Sequence, residues 1–270
     1  MKKKKDFSPT HIGYVRKIKI HNALIQLSRF AILIICLGLW ELLAHYQIID
    51  SFITSSPSRI IATIKDLIIN DNLLYHMGIT LYETFLGFLI AVVLGYLIAL
   101  ALWWSESLRR TLEPYIVVLN SLPKIALGPI IIVWCGSGMK SIIVMAILIG
   151  IIVSIITMLN GFLETDNNKI LLLRSMGANK LQILTKLVIP GSIPTFISML
   201  KISVGLAWVG SIMGEYLVSR AGLGYLIVYG GQVFKLDLVM ASTVVLCLLA
   251  TLMYTLIAIL EKVIIKYKNK

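Results

Sequence analysis

The sequence predicts an all-α membrane protein with six transmembrane helices, and three observations carry that expectation. The 270 residues are 58% hydrophobic and only 14% charged, too few polar side chains to coat a soluble domain of this size. The apolar residues fall in runs of roughly twenty, enough to cross a bilayer at about 1.5 Å per residue. Lys and Arg gather between those runs. They do not form a basic domain with interleaved aromatics, so the net charge of +12 reads as membrane topology and no nucleic-acid partner is expected.

Residues 1–29 are a basic tail carrying Lys2 to Lys5, Arg16, Lys17, Lys19 and Arg29. The apolar run begins only near Phe30 and no small-residue cleavage site follows it, so the segment is expected to be a cytoplasmic tail and not a signal peptide. Residues 30–73 hold the first span, about 30–49, and then an amphipathic helix. Pro57 opens that helix, and Ile60, Ile61, Ile64, Leu67 and Ile68 recur at helical spacing, the pattern of a helix lying on the outer membrane surface.

The second span covers about 77–104, with Gly87 and Gly95 inside it. A short loop, 105–113, carries Arg109 and Arg110. The third span, about 114–134, contains Pro123 and Pro129, and each proline is expected to kink it. The fourth span is about 141–160, the fifth about 193–212 and the sixth about 239–259. Gly205 and Gly210 are expected to let the fifth span pack closely on its neighbours. Between the last two spans, 218–231 holds Gly222, Gly224, Gly230 and Gly231; it reads as a flexible or re-entrant outer loop, or as plain turns. Residues 263–270 are a second cytoplasmic tail. Cys36, Cys135 and Cys247 lie singly in apolar runs, with no CxxC and no histidine near them. They read as small core residues, not as disulfides or metal ligands.

Six spans place both termini on one side. Of the 25 Lys and Arg, 18 fall in the N-terminal tail, the C-terminal end from Lys262 onward, the Arg109 loop and the 160–190 loop, and five (Arg59, Lys65, Lys140, Arg220 and Lys235) fall opposite. The excess assigns the termini and the 160–190 loop to the cytoplasm. The protein is therefore expected in the cell membrane as a multi-pass chain, its spans in contact with the lipid bilayer.

Residues 164–194 are a long polar-containing interruption, ETDNNKILLLRSMGANKLQILTKLVIPGSIP. Ile170, Leu173 and Met176, then Leu181, Leu184 and Leu187, repeat at helical spacing. Asp166 or Asn167 is placed to cap the first helix. Gly177 is placed to end it in a left-handed conformation, and a second short helix, about 178–188, runs to Pro190. Such a knob has an apolar face that either packs on its own bundle or receives a partner.

Two lysines lie inside spans. Lys124 sits about ten residues, or roughly 15 Å, past the start of the third span, and Lys201 is similarly deep in the fifth. Asn120, Pro123 and Lys124, with Lys201, Trp208 and Glu215, are the candidate lining of a translocation pathway, and the two cations point to a polar or anionic solute. The other reading is a packing kink with each lysine paired to a carboxylate, Glu83 and Glu215 being available. His11, His21, His45 and His76 are scattered, and Gly136 to Ser141 lacks the spacing of a phosphate loop. No catalytic residue, metal ligand or cofactor is expected in this chain. An ATP-independent channel, a secondary carrier and a membrane scaffold all stay open at this point.

The knob resembles the cytoplasmic loop of binding-protein-dependent ABC importer permeases, whose pattern is EAA, three residues, Gly, nine residues, then I-x-L-P. Gly177 takes the glycine position, and Leu187-Val188-Ile189-Pro190 follows at the right distance. Leu171-Leu172-Leu173 stands where EAA is usual, a departure that removes the glutamate. Pro123 to Pro129 followed by Trp134 and Gly136, and Gly214-Glu215-Tyr216-Leu217 with Gly222-Leu223-Gly224, are similar to the nitrate, sulfonate and taurine branch. The similarity covers about 57–262. It implies a type I importer permease fold with a core over 74–262 and coupling helices at 164–190. It further implies a homodimer of permease subunits, two cytoplasmic ATP-binding subunits that hold the ATP-Mg, and an extracellular binding protein that delivers the solute. Leu171, Leu172, Leu173, Gly177, Ala178, Leu187, Ile189 and Pro190 are the residues the resemblance places at the ATPase.

Overall fold

The computed structural model of the chain describes residues 9–268, and every regular element among them is helical. The chain forms two compact units, residues 1–63 and 64–270.

In the first unit, α1 (Pro9–His45) is one continuous helix whose stretch Ile20–His45 is apolar enough to span a membrane. The basic residues from Arg16 to Arg29 thus continue directly into the span as helix. A short α2 (Ser51–Thr54) is capped by Asp50, whose carboxylate accepts from Phe52 N at 2.9 Å. The start of α3 (Pro57–Asn70) is tied to α1: Ser58 donates through its backbone N to Glu41 Oε2 at 3.0 Å and through its hydroxyl to Glu41 Oε1 at 2.7 Å. The expected amphipathic helix is therefore present.

In the second unit, α4 (Leu73–Trp104), α7 (Met139–Leu163) and α11 (Ile193–Val218) are long, apolar and half-buried against one another. Small residues set how close they come. A Cβ on Gly87 would lie 2.5 Å from Ala146 Cβ, one on Gly95 2.6 Å from Ser154 Cβ, and one on Gly210 2.5 Å from Ala146 Cα. Helices in lipid gain little from burying apolar area, so close backbone approach and cross-helix polar contacts hold them. Ser154 and Ser203 supply one such contact, their hydroxyls 3.0 Å apart in the interior. Gly205, expected to pack closely, has open space around it.

The third span departs most from expectation. No loop covers 105–113: Ser105 alone interrupts the chain, accepting from Leu108 N at 3.3 Å to cap α5 (Glu106–Ser121). Arg109 and Arg110 ride on that helix, paired with Glu106. The helix then breaks outright at Leu122-Pro123. A 3-10 turn, Lys124–Leu127, leads into α6 (Gly128–Cys135), bent 86° from α5. Pro123 disfavours helix in the residue before it and cannot donate to the preceding turn; Pro129 sits harmlessly in the first turn of α6. Among the described residues the second unit thus holds four unbroken spans, counting α13 (Leu236–Lys268), and this broken one.

Two further expectations are corrected. The glycine-rich 218–231 is ordered: it contains α12 (Leu223–Gln232), with Leu223, Gly224, Leu226 and Gly230 buried. Cys36 and Cys247 are exposed on their helices and Cys135 is half-buried, so none is a core residue.

The packing yields a test. Gly210→Ala places a methyl against the α7 backbone, and overpacking of this kind costs about 1–3 kcal/mol. It should lower the thermal midpoint of the detergent-purified protein, whereas Gly205→Ala should not.

Candidate functional site

Residues 164–192 fold into a helical hairpin at the end of the bundle where α4 and α7 finish and α11 begins. Asp166 caps α8 (Asn167–Ser175), its carboxylate accepting from Asn168 N at 2.9 Å. Gly177, at φ 80°, ends it. Gly177 N donates to Arg174 O and Ala178 N to Leu173 O, both at 2.9 Å, the paired bonds of a Schellman cap. A β-branched side chain has no comfortable conformation there.

The second helix starts two residues later than expected, at α9 (Lys180–Ile183). Asn179 and Gln182 form a reciprocal capping box: Gln182 N donates to Asn179 Oδ1 at 2.8 Å, and Asn179 N donates to Gln182 Oε1 at 2.9 Å. The N-x-x-Q spacing was visible in the sequence as a helix start. Leu184–Val188 then widens into a π turn, with Ile189 N donating to Leu184 O. Pro190 explains it. In an α-helix residue 190 would donate to the carbonyl of Lys186, but proline has no N–H and its ring would strike that carbonyl. A wider turn removes the clash. The short α10 (Ile189–Gly191) follows, and Ser192 N donates to Val188 O at 2.9 Å before α11 begins. The hairpin thus runs into the fifth span with no loop between them.

The hairpin has two faces. Ile183, Leu184 and Val188 are buried with Leu102, Met158 and Phe162 from the ends of α4 and α7, and Ile170, Leu173, Ala178, Leu187 and Ile189 pack against them. Leu171, Leu172, Met176 and Leu181 point outward, 57–75% exposed. The expected partner-facing residues therefore divide. Leu171, Leu172 and Gly177 are on the surface, and Pro190 is half-buried at the π turn; Leu173, Ala178, Leu187 and Ile189 pack toward the bundle. Met176 and Leu181 are outward residues that motif matching passed over and helical spacing could have found. A hollow of about 250 Å³ lies in the bend, lined by Leu173, Met176, Gly177, Ala178, Gln182 and Lys186.

The residues expected to line a pathway do not share one site. Asn120 and Lys124 flank the break after α5, where Lys124 Nζ donates to Asn120 O at 3.3 Å and Pro123 forms the corner. Lys201 is paired with Glu261 of α13 at 2.6 Å. It does have a carboxylate partner, but not Glu83 or Glu215. Trp208 is a core residue, 4% exposed, its indole N–H without an acceptor. Glu215 is buried where α12 starts. Its Oε2 accepts from Gly224 N at 2.5 Å, Gly222 N donates to His76 Nδ1 at 2.9 Å, and Leu223 N donates to the Thr80 hydroxyl at 2.8 Å. A carboxylate at a helix N-terminus satisfies free N–H groups and meets the positive end of the dipole. Glu83 contacts Glu215 there, and Glu83 Oε2 and Glu215 Oε1 have no hydrogen-bond partner. Glu83 also lines a cleft of about 470 Å³ with Ser137, Gly138, Ser219 and Arg220. The cleft opens at the end of the bundle away from the hairpin, since α4 begins and α11 ends beside it.

The second unit is thus a bundle of apolar spans with a capped helical hairpin running directly into one of them. The chain belongs to the family of binding-protein-dependent transport system inner membrane components, which it matches over residues 91–266. It is 30% identical over 233 residues to the formylaminopyrimidine transport permease ThiX of Halalkalibacterium halodurans, covering 86% of this chain and 92% of that protein. It is 24% identical over 226 residues to the taurine transport system permease TauC of Escherichia coli, covering 82% of each. Among solved structures, an inward-facing MetNI methionine ABC transporter chain aligns with a TM-score of 0.63 at 22% identity, over 71% of this chain and 95% of that one. The fold is that of type I ABC importer permeases, and the protein is a multi-pass component of the inner membrane.

The caps predict a stability difference confined to the hairpin. Asn179→Ala removes the box and should cost about 1 kcal/mol locally, seen as faster hydrogen exchange over 179–188 with the span cores unchanged. Gly177→Val should speed exchange over 167–178 in the same way.

Proposed function

We propose that this chain is the translocation subunit of an ATP-driven importer and that the hairpin over 164–190 is where a separate ATP-binding subunit acts. The observation that carries the proposal is the outward apolar face of Leu171, Leu172, Met176 and Leu181 on a hairpin that continues into α11 without a loop. Exposed leucines and methionine at the end of a bundle leave apolar area in water unless a partner covers it. The missing glutamate fits the same picture: the contact is apolar where the family pattern is acidic. The excess of Lys and Arg on the hairpin's side supports a cytoplasmic placement, where ATP is available. Two permease chains then form one pathway, two ATP-binding subunits hold the ATP-Mg, and a binding protein delivers solute to the opposite end. Closing the ATPase pair displaces the hairpins and rocks the spans between inward-open and outward-open states.

For the solute we propose a small polar molecule bearing an amine-type N–H group, with or without an anionic head. An anion alone was the reading two free intramembrane lysines would have supported, and Lys201 is neutralised by Glu261. The cleft at the far end is instead lined by one acidic and one basic side chain, Glu83 and Arg220. Taurine and formylaminopyrimidine, in the names of two relatives, carry amino nitrogen, while a third relative is named for aliphatic sulfonates.

Two measurements test these proposals. Leu172→Glu with Met176→Glu should cut recovery of the ATP-binding subunit with the tagged permease at least tenfold; undiminished recovery refutes the apolar contact. In competition for uptake, taurine should outcompete ethanesulfonate, which lacks the amine; equal competition refutes the amine requirement.

A further inference from the structure

Beside its apolar face the hairpin has a polar attachment to the bundle that no sequence motif marks. Lys180 is the first residue of α9. Its Nζ donates to the backbone oxygen of Trp104 at 2.5 Å and stands 5.3 Å from the Trp104 ring centroid and 5.7 Å from that of Trp103. Trp104 is the last residue of α4. Its carbonyl is among the four at a helix end that have no intrahelical donor, and the negative end of the helix dipole lies there. One ammonium therefore meets an orphan carbonyl and two indole faces, each of which attracts a cation. The two rings are inclined at 55° with centroids 6.4 Å apart, an open corner that the ammonium fills. Ile183 of α9 and Leu102 of α4 belong to the same buried apolar cluster.

The hairpin is thus joined to α11 through the chain, to the ends of α4 and α7 through its inner apolar residues, and to α4 once more through Lys180. The apolar contact has no fixed direction, whereas the Lys180 bond is charge-assisted and directional. We propose that Lys180 is a positioning residue: it clamps the hairpin to the end of α4, so that a displacement of the hairpin moves α4 and α11 as one body instead of sliding the hairpin on its apolar contact. This rests on the reading of the hairpin as the point where the ATP-binding subunit acts.

The test uses the wild-type chain, Lys180→Met and Lys180→Arg, each reconstituted in liposomes with its ATP-binding subunits and binding protein. Methionine keeps the apolar stem and loses the charge and the donors. Arginine can still donate to a carbonyl and stack on indole. The readout is solute moved per ATP hydrolysed by the assembled complex. Lys180→Met should lower it at least about fivefold, the smaller end of typical coupling between sites, and Lys180→Arg should restore most of it. A lysine that served folding alone would reduce the yield of complex and leave this ratio untouched. An unchanged ratio in Lys180→Met, or an arginine variant as uncoupled as the methionine one, overturns the proposal. Hydrogen exchange on the permease without its partners judges the clamp independently: Lys180→Met should speed exchange across 178–188, and unchanged exchange overturns the clamp. Failure of the wild-type chain to retain any ATP-binding subunit overturns the reading of the hairpin instead.

Discussion

Close contact between α4, α7 and α11 is the constraint on which the second unit is built. Inside a bilayer apolar surface is no worse off against lipid than against protein, so burial cannot hold helices together as it does in water. What remains is dispersion between closely fitted surfaces and the occasional polar contact. Ala146 illustrates it: the same residue meets Gly87 of α4 and Gly210 of α11, so α7 is gripped from two sides at one level. A turn or two along, the Ser154–Ser203 contact adds a polar tie. The hairpin and the Glu215 cluster are both mounted on this frame, at opposite ends.

The hairpin shows how a short segment is made stiff without length. Helices of nine and four residues are too short to be stable alone. Each end is therefore closed by a specific device: Asp166, the Gly177 cap, the Asn179–Gln182 box and the π turn at Pro190. The inner apolar residues fix the hairpin to the bundle, which frees Leu171, Leu172, Met176 and Leu181 to stay outside. Two roles are divided between neighbouring leucines, Leu172 outward and Leu173 inward.

Much of this was legible in the sequence because apolar periodicity and composition report directly on lipid contact. The spans, the α3 helix and the Gly177 cap follow from residue type and spacing alone. The failures have a common physical source, which is contact between distant segments. The partner of Lys201 lies 60 residues away on α13, and no local pattern names it. Glu83 and Glu215 look like counter-charges for lysines when read singly, yet they meet each other beside α12. The 218–231 stretch reads as loop because glycine is a poor helix former; Gly224 and Gly230 are there because Glu215 and Val239 come too near for a side chain. The broken third span was half-visible: two prolines forecast a kink, while the 86° turn depends on a 3-10 segment that propensity does not specify.

The π turn has a consequence for angular phase. Each residue of an α-helix advances the chain by about 100°, so a single widened turn sets the azimuth of everything after it relative to everything before. The direction in which the outward leucines face and the direction in which Lys201, Trp208 and Glu215 face along α11 are locked to one another by those five residues. Pro190 enforces the widening, and so a single proline fixes the heading of the hairpin with respect to the span. Adding or dropping one residue between Leu184 and Ile193 would rotate the whole of α11 against the hairpin by about 100°.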